Sequence, residues 1–149
     1  MTPSPTVRRA GVADVDRLVP LFGAYREFYR QPPEPVREGR FLADRLAREE
    51  SVVFVADEDG TAVGFTQLYP LFSSLSLRPV WLLNDLYVLP DRRRRGIASL
   101  LLRRAREHAR ETGAEYLTLE TARDNPARHL YEAEGWKRDE VFFTYAREP

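Results

Sequence analysis

The stretch from Leu82 to Ala109, LLNDLYVLPDRRRRGIASLLLRRAREHA, constrains this chain more than any other. It reads as an apolar strand, a turn at Pro90-Asp91, a basic loop closing on Gly96, and an amphipathic helix. A helix N-terminus leaves backbone N–H groups without partners, and the helix dipole adds partial positive charge there. A loop between strand and helix is therefore suited to hold an anion. Arg92 to Arg95 stand in front of it. From the loop alone, three readings stay open: solvated surface charge, a nucleic-acid patch, or a pyrophosphate site. Gly96 lets the backbone turn sharply or approach a ligand, and Ala98 is small. No Gly-Lys-Ser/Thr follows, so this is not a P-loop. Nor are there the further glycines of a dinucleotide-binding fingerprint.

Charge weighs against nucleic acid. The 23 basic residues are balanced by 23 acidic ones, no aromatic is interleaved among the loop arginines, and Glu107 and Glu111 dilute the basic run. The 149 residues fit one domain, 1–149, and a hydrophobic content of 43% suffices for a packed core. Absence of cysteine excludes disulfides, thiolate metal sites and a cysteine nucleophile, and suits a cytoplasmic location. With His108 and His129 the only histidines, no metal site is expected. The N-terminus has no apolar signal segment, and no run approaches the roughly 18–20 apolar residues of a membrane span.

Hydrophobic spacing predicts the elements in order. After a flexible Pro/Ser tail, Thr6 to Arg9 reads as a strand. Asp14 is placed to cap a helix carrying Val15, Leu18, Val19, Phe22, Arg26 and Tyr29. Pro32, Pro33 and Pro35 stop that helix, and a second covers about Val36 to Arg48. Ser51 to Ala56 and Thr61 to Tyr69 read as an antiparallel pair, with Pro70 ending the second strand and a loop from Leu71 to Arg78. Val80 to Val88 is the central strand. The helix from Ile97 to about Thr112 buries Ile97, Ala98, Leu101, Leu102, Ala105, His108 and Ala109, with Arg103, Arg104, Arg106, Glu107 and Arg110 outward. Tyr116 to Thr121 is a strand, Ala127 to Glu134 a short helix, and Trp136-Lys137 and Val141 to Tyr145 the last strands. The order β-α-α-β-β-β-α-β-α-β predicts an α/β fold: one mixed sheet of about six to seven strands, flanked by about four helices.

Arg93-Arg94-Arg95-Gly96-Ile97-Ala98 fits the pattern Arg/Gln-x-x-Gly-x-Gly/Ala and directly follows an apolar strand. Further on come Asn125-Pro126-Ala127-Arg128-His129-Leu130-Tyr131 and then Gly135-Trp136. In this order the pieces resemble the GNAT superfamily of acetyl-CoA-dependent N-acetyltransferases, over nearly the whole chain. Leu83-Asn84-Asp85-Leu86-Tyr87-Val88 is similar to the Leu-Glu-Asp-Phe-Phe-Val stretch of the diamine (polyamine) acetyltransferases. Two departures stand out. Asn84 replaces that branch's glutamate, and an amide is no proton acceptor. Asp124 stands where the family's asparagine is expected, with Asn125 one position later.

The resemblance implies roles. Pyrophosphate of acetyl-CoA would rest on the backbone of Arg94, Arg95, Gly96, Ile97, Ala98 and Ser99, with Arg93 or Arg95 neutralising phosphate. The backbone of Leu86, Tyr87 and Val88 would pair with the pantetheine arm, and an N–H there would polarise the thioester carbonyl. Asn125 would also meet the pantetheine. Tyr131 would protonate the departing thiolate; its alternative reading is a core aromatic beside Leu130. Asp85, or a water held by Asn84 and Glu120, would take the amine's proton; Asp85 and Glu120 could equally be partners of nearby arginines. Alternation puts Asn84 and Leu86 on one strand face and Asp85 and Tyr87 on the other. Tyr25, Glu27, Phe28 and Tyr29 on the first helix, with Asn84, would bind a small cationic amine, or simply pack between the helices and the sheet.

The expected activity is acetyl transfer from acetyl-CoA to a primary amine by direct attack, without metal, nucleic acid or membrane. Two other readings remain: a peptide or protein N-acetyltransferase, and a CoA-binding module without catalysis. Pairing of the apolar Val141–Tyr145 strand across a homodimer is expected.

Overall fold

The computed structural model describes residues 4–149, so the start of the expected N-terminal tail lies outside the described residues. Strands β1 (Thr6–Arg9), β2 (Val52–Glu58), β3 (Thr61–Ser73), β4 (Arg78–Val88) and β5 (Leu117–Thr118) form one sheet in sequence order. The first four run antiparallel, and β5 joins β4 in parallel. Helices α1 (Val15–Phe28), α2 (Pro35–Ala47), α3 (Ile97–Glu111) and α4 (Ala127–Ala133) complete the mixed α/β architecture.

The continuous apolar run of β2 is buried on both faces, as a strand covered by helices on both sides must be. Val52, Phe54 and Ala56 share one core with Ile97, Leu101, Leu102 and Ala105 of α3. Val53 and Val55 share the other with Leu18, Leu21, Phe22 and Leu42 of α1 and α2. The predicted inward row of α3 is buried, with Ala98 half-buried. Arg104, expected outward, lies over the Phe54 ring at 4.5 Å, its aliphatic stem giving it the reach. Arg26, on the inward row of α1, donates to the buried Glu38 carboxylate at 2.6 Å and so ties α1 to α2. Asp14 precedes α1 but caps no N–H of it. Its carboxylate instead accepts the Gly11 N–H at 2.8 Å and pairs with Arg8, which lowers its pKa to about 2.

Four expectations need correction. The sheet of the described residues has five strands, not six or seven. Pro70 does not end β3: it pairs in register with Trp81, and the hairpin continues to Ser73 and Arg78. Beyond Leu68, the partner of Val52, β3 has no neighbour on the β2 side, so a prolyl nitrogen there removes no ladder bond from that side. The strand expected at Tyr116–Thr121 shortens to Leu117–Thr118, because its contact with β4 ends there. Trp136–Lys137 and Val141–Tyr145 form no strand, and Val141, Phe142, Phe143 and Tyr145 are 78–89% exposed. Asp139 Oδ1 accepts the N–H groups of Val141 and Phe142 at 2.8 and 3.1 Å, a local bond that competes with sheet pairing.

Candidate active site

β4 and β5 pair only through Trp81–Leu117 and Leu82–Thr118, then separate. From Leu83 to Val88 the β4 edge facing β5 therefore has no strand beside it among the described residues, and peptide groups in that state take up other partners. Register makes the opening irregular. Gln67 pairs with Asp85 and Leu68 with Leu83, so Asn84 is the extra residue of a β-bulge. The bulge turns Leu83, Leu86 and Val88 toward α3 and Tyr87 toward α1.

The opening is a cleft of about 570 Å³. Its first wall is β4 from Leu83 to Val88, without Asp85. Its floor is the loop and first turn of α3, Arg92 to Ser99 without Arg95. Leu119, Glu120, Asn125, Pro126, Ala127, Leu130 and Tyr131 make the opposite wall, and Phe28 and Tyr29 reach in from α1.

The floor is an anion site by backbone geometry. Arg94 and Gly96 both have positive φ, 62° and 81°, and α3 begins with the Leu100 N–H bonding the Gly96 carbonyl at 3.1 Å. Among the described residues no side chain caps the first turn of α3. Its N–H groups therefore stay available, beside the positive end of the helix dipole. The arginines divide. Arg92 and Arg95 each lie 3.5 Å from Glu58. Arg93 donates through Nε to the Val88 carbonyl at 2.9 Å and lies 5.4 Å from the centre of the Tyr87 ring. Arg94 lines the cleft.

Tyr131 packs its ring against the core, 6.2 Å from Trp136. Burial raises its pKa to about 12, so the phenol stays protonated through the neutral range. Glu120 is exposed on the same wall. Asn125 Oδ1 accepts the Ala127 N–H at 3.0 Å, which fixes the start of α4 and holds Asn125 at the cleft. Asp124, the other position considered for that role, is exposed and outside the lining.

Asp85 is placed differently from a direct base. It is 2% exposed and lies off the cleft, receiving Gln67 Nε2 at 2.6 Å and Asn84 Nδ2 at 2.7 Å. Burial pushes its pKa up, opposed by those two donors and by the Tyr25 hydroxyl. The same hydroxyl lies 3.1 Å from the Asn84 carbonyl, so its one proton is shared between the two acceptors. Tyr25 thus braces the bulge rather than lining the cleft, and Glu27 is exposed outside it. Arg95 is likewise outside. Leu83, Arg92, Leu119, Pro126, Ala127 and Leu130 also line the cleft, beyond the site residues expected from the sequence. Leu119 and Leu130 are apolar residues packed against the core, and nothing in the residue string marks the bulge that brings Leu83 round.

Among the described residues no group of His, Asp and Glu is arranged to hold a metal, and no helix is long and apolar enough to cross a membrane.

A family model described as "Acetyltransferase (GNAT) family" matches residues 18–136, and the chain belongs to that family. It is 44% identical over 140 residues to an uncharacterized N-acetyltransferase of Bacillus subtilis, covering 93% of this chain and 94% of the other. It is 36% identical over 125 residues to a probable acetyltransferase of Haemophilus influenzae, covering 83% and 84%. A solved probable acetyltransferase superposes with a TM-score of 0.91 at 43% identity, over 97% of each chain. An aminoglycoside N-acetyltransferase in complex with CoA shares the fold, with a TM-score of 0.83 at 19% identity over 100% and 98% of the chains. The protein is an acetyltransferase, and its family uses acetyl-CoA.

Proposed function

We propose that this enzyme acetylates a primary amine on a small cationic molecule, by direct attack on acetyl-CoA. One observation carries the reading: the unpaired β4 edge, the uncapped α3 N-terminus, Tyr131 and the exposed Phe28–Tyr29 pair all border one cleft. Peptide groups of Leu86 to Val88 hold the pantetheine arm, for which the Arg93 guanidinium gives up the Val88 carbonyl. Backbone N–H groups of Arg94 to Ser99 hold the pyrophosphate. The amine nitrogen attacks the acetyl carbonyl carbon, the N–C bond forms and the C–S bond breaks. Tyr131 hands the sulfur its proton and takes one back from solvent, balancing the proton the nitrogen loses. The attacking nitrogen's surplus proton leaves through a water held by Glu120 and Asn84. Asp85 acts from beneath by fixing Asn84, rather than as the base itself.

Aromatic edges at Phe28 and Tyr29 with the Glu120 carboxylate suit a cation. The whole chain works as one cytoplasmic domain. It works as a homodimer, because its exposed apolar segment Val141–Tyr145 has no strand partner among the described residues.

The test is release of free thiol from acetyl-CoA with a panel of small diamines, monoamines and short peptides. Turnover with cationic small amines is expected. Turnover confined to peptides would replace the small-molecule reading, and CoA binding without thiol release would leave a binding module.

A further inference from the structure

Arg94 holds a left-handed backbone conformation that a side-chain-bearing residue adopts only at a cost. Such a residue persists where its surroundings over-determine it. Here the residues around it do so. Arg92 Nε and Arg95 Nη1 each lie 3.5 Å from the same oxygen, Glu58 Oε1. Glu58 closes β2 and is 7% exposed, so its carboxylate is anchored to the sheet. One buried carboxylate thus attracts the loop before and after its strained residue through two ion pairs, while Arg92 Nη1 donates to Asp91 at 2.7 Å.

We propose that Glu58 is a positioning residue for the cosubstrate, holding Arg94 to Gly96 in the shape that presents their N–H groups to the cleft. The inference rests on reading that cleft as the acetyl-CoA site. Charge and geometry give opposite signs. A carboxylate near a pyrophosphate repels it, so if Glu58 acted only as a charge, its neutralisation would tighten CoA binding. A clamp works by pre-organising the loop, and its removal makes binding bear the ordering cost.

The test uses Glu58→Gln and Arg95→Gln, singly and together. CoA binding is read by calorimetry, acetyl transfer by kcat and KM, and loop order by the rate of tryptic cleavage after Arg92 and Arg93, two sites that every variant keeps. Each single variant should bind CoA about tenfold more weakly, raise KM with kcat within about twofold, and be cut faster; the double variant should lose no more than the worse single one. Unchanged or tighter CoA binding by Glu58→Gln, or losses that add in the double variant, would overturn the inference. If Glu58→Gln does not fold, Arg95→Gln decides alone: unchanged tryptic cleavage overturns the clamp. A wild-type protein that binds no CoA would overturn the acetyl-CoA reading itself, and the inference with it.

Discussion

Gln67 Nε2 donates to Asp85 Oδ2 at 2.6 Å, both side chains buried directly beneath the bulge at Asn84. The bond tethers β3 to β4 where β4 changes register, and Asn84 Nδ2 completes the set from above. No cation pairs with Asp85 among the described residues, so these amide donors and the Tyr25 hydroxyl are what make its ionised form tolerable.

Gln67→Leu should therefore destabilise the fold in a pH-dependent way. Burial already raises the Asp85 pKa, and the Gln67 bond opposes that rise. Removing the bond raises the folded pKa further, so Asp85 contributes less stability as pH climbs through it. A loss of about 2 kcal/mol is expected at pH 8, shrinking toward pH 4 as the carboxyl protonates. Urea denaturation at the two pH values checks this; an equal loss at both would show that Asp85 ionisation plays no part.

Tyr131→Phe keeps the ring in the core and removes only the hydroxyl. Turnover should fall about a hundredfold, with KM for acetyl-CoA nearly unchanged. Because burial holds the phenol near a pKa of about 12, wild-type activity should show no alkaline loss from Tyr131 up to about pH 10. Steady-state kinetics across pH measure both.

Gly64 stands opposite Val88 in the register. A Cβ there would meet the Tyr87 carbonyl at 3.1 Å and Val88 Cγ2 at 3.2 Å. Gly64→Ala should push back the strand end that borders the cleft, costing about 1–3 kcal/mol of stability. KM for acetyl-CoA should rise with it. Thermal melting with kinetics distinguishes this from a purely local packing change, which would leave KM alone.

Gly96 presents the opposite situation. Among the described residues nothing lies within 4 Å of a Cβ built on it, but its φ is 81°. Gly96→Val should cost about 1–2 kcal/mol through backbone strain. The branched side chain would also crowd the floor of the cleft, so CoA affinity measured by calorimetry should fall at least about tenfold.

The parts legible in the sequence are those written in period and punctuation. The apolar run of β2 and the inward row of α3 placed the sheet core and the helix that covers it. The strand–loop–helix pattern around Gly96 led to the cleft floor, and Tyr131 does border the cleft. What depends on pairing between distant strands was not legible. The bulge at Asn84 is a register relation between β3 and β4, and it sends Asp85 away from the cleft. Glu58 meets Arg92 and Arg95 across the fold, a contact between segments that are distant in the sequence. Val141–Tyr145 has the composition of a strand, but composition supplies no partner, and in the single chain the segment lies exposed.

CoA is expected in the gap between β4 and β5, with its pyrophosphate on the α3 N-terminus. Amide hydrogen exchange with and without CoA reads that placement segment by segment. Protection of the 86–88 and 94–99 amides on CoA addition is expected. Binding that protects neither segment, or that protects only the groove beside Arg103, Arg106 and Lys137, would contradict it.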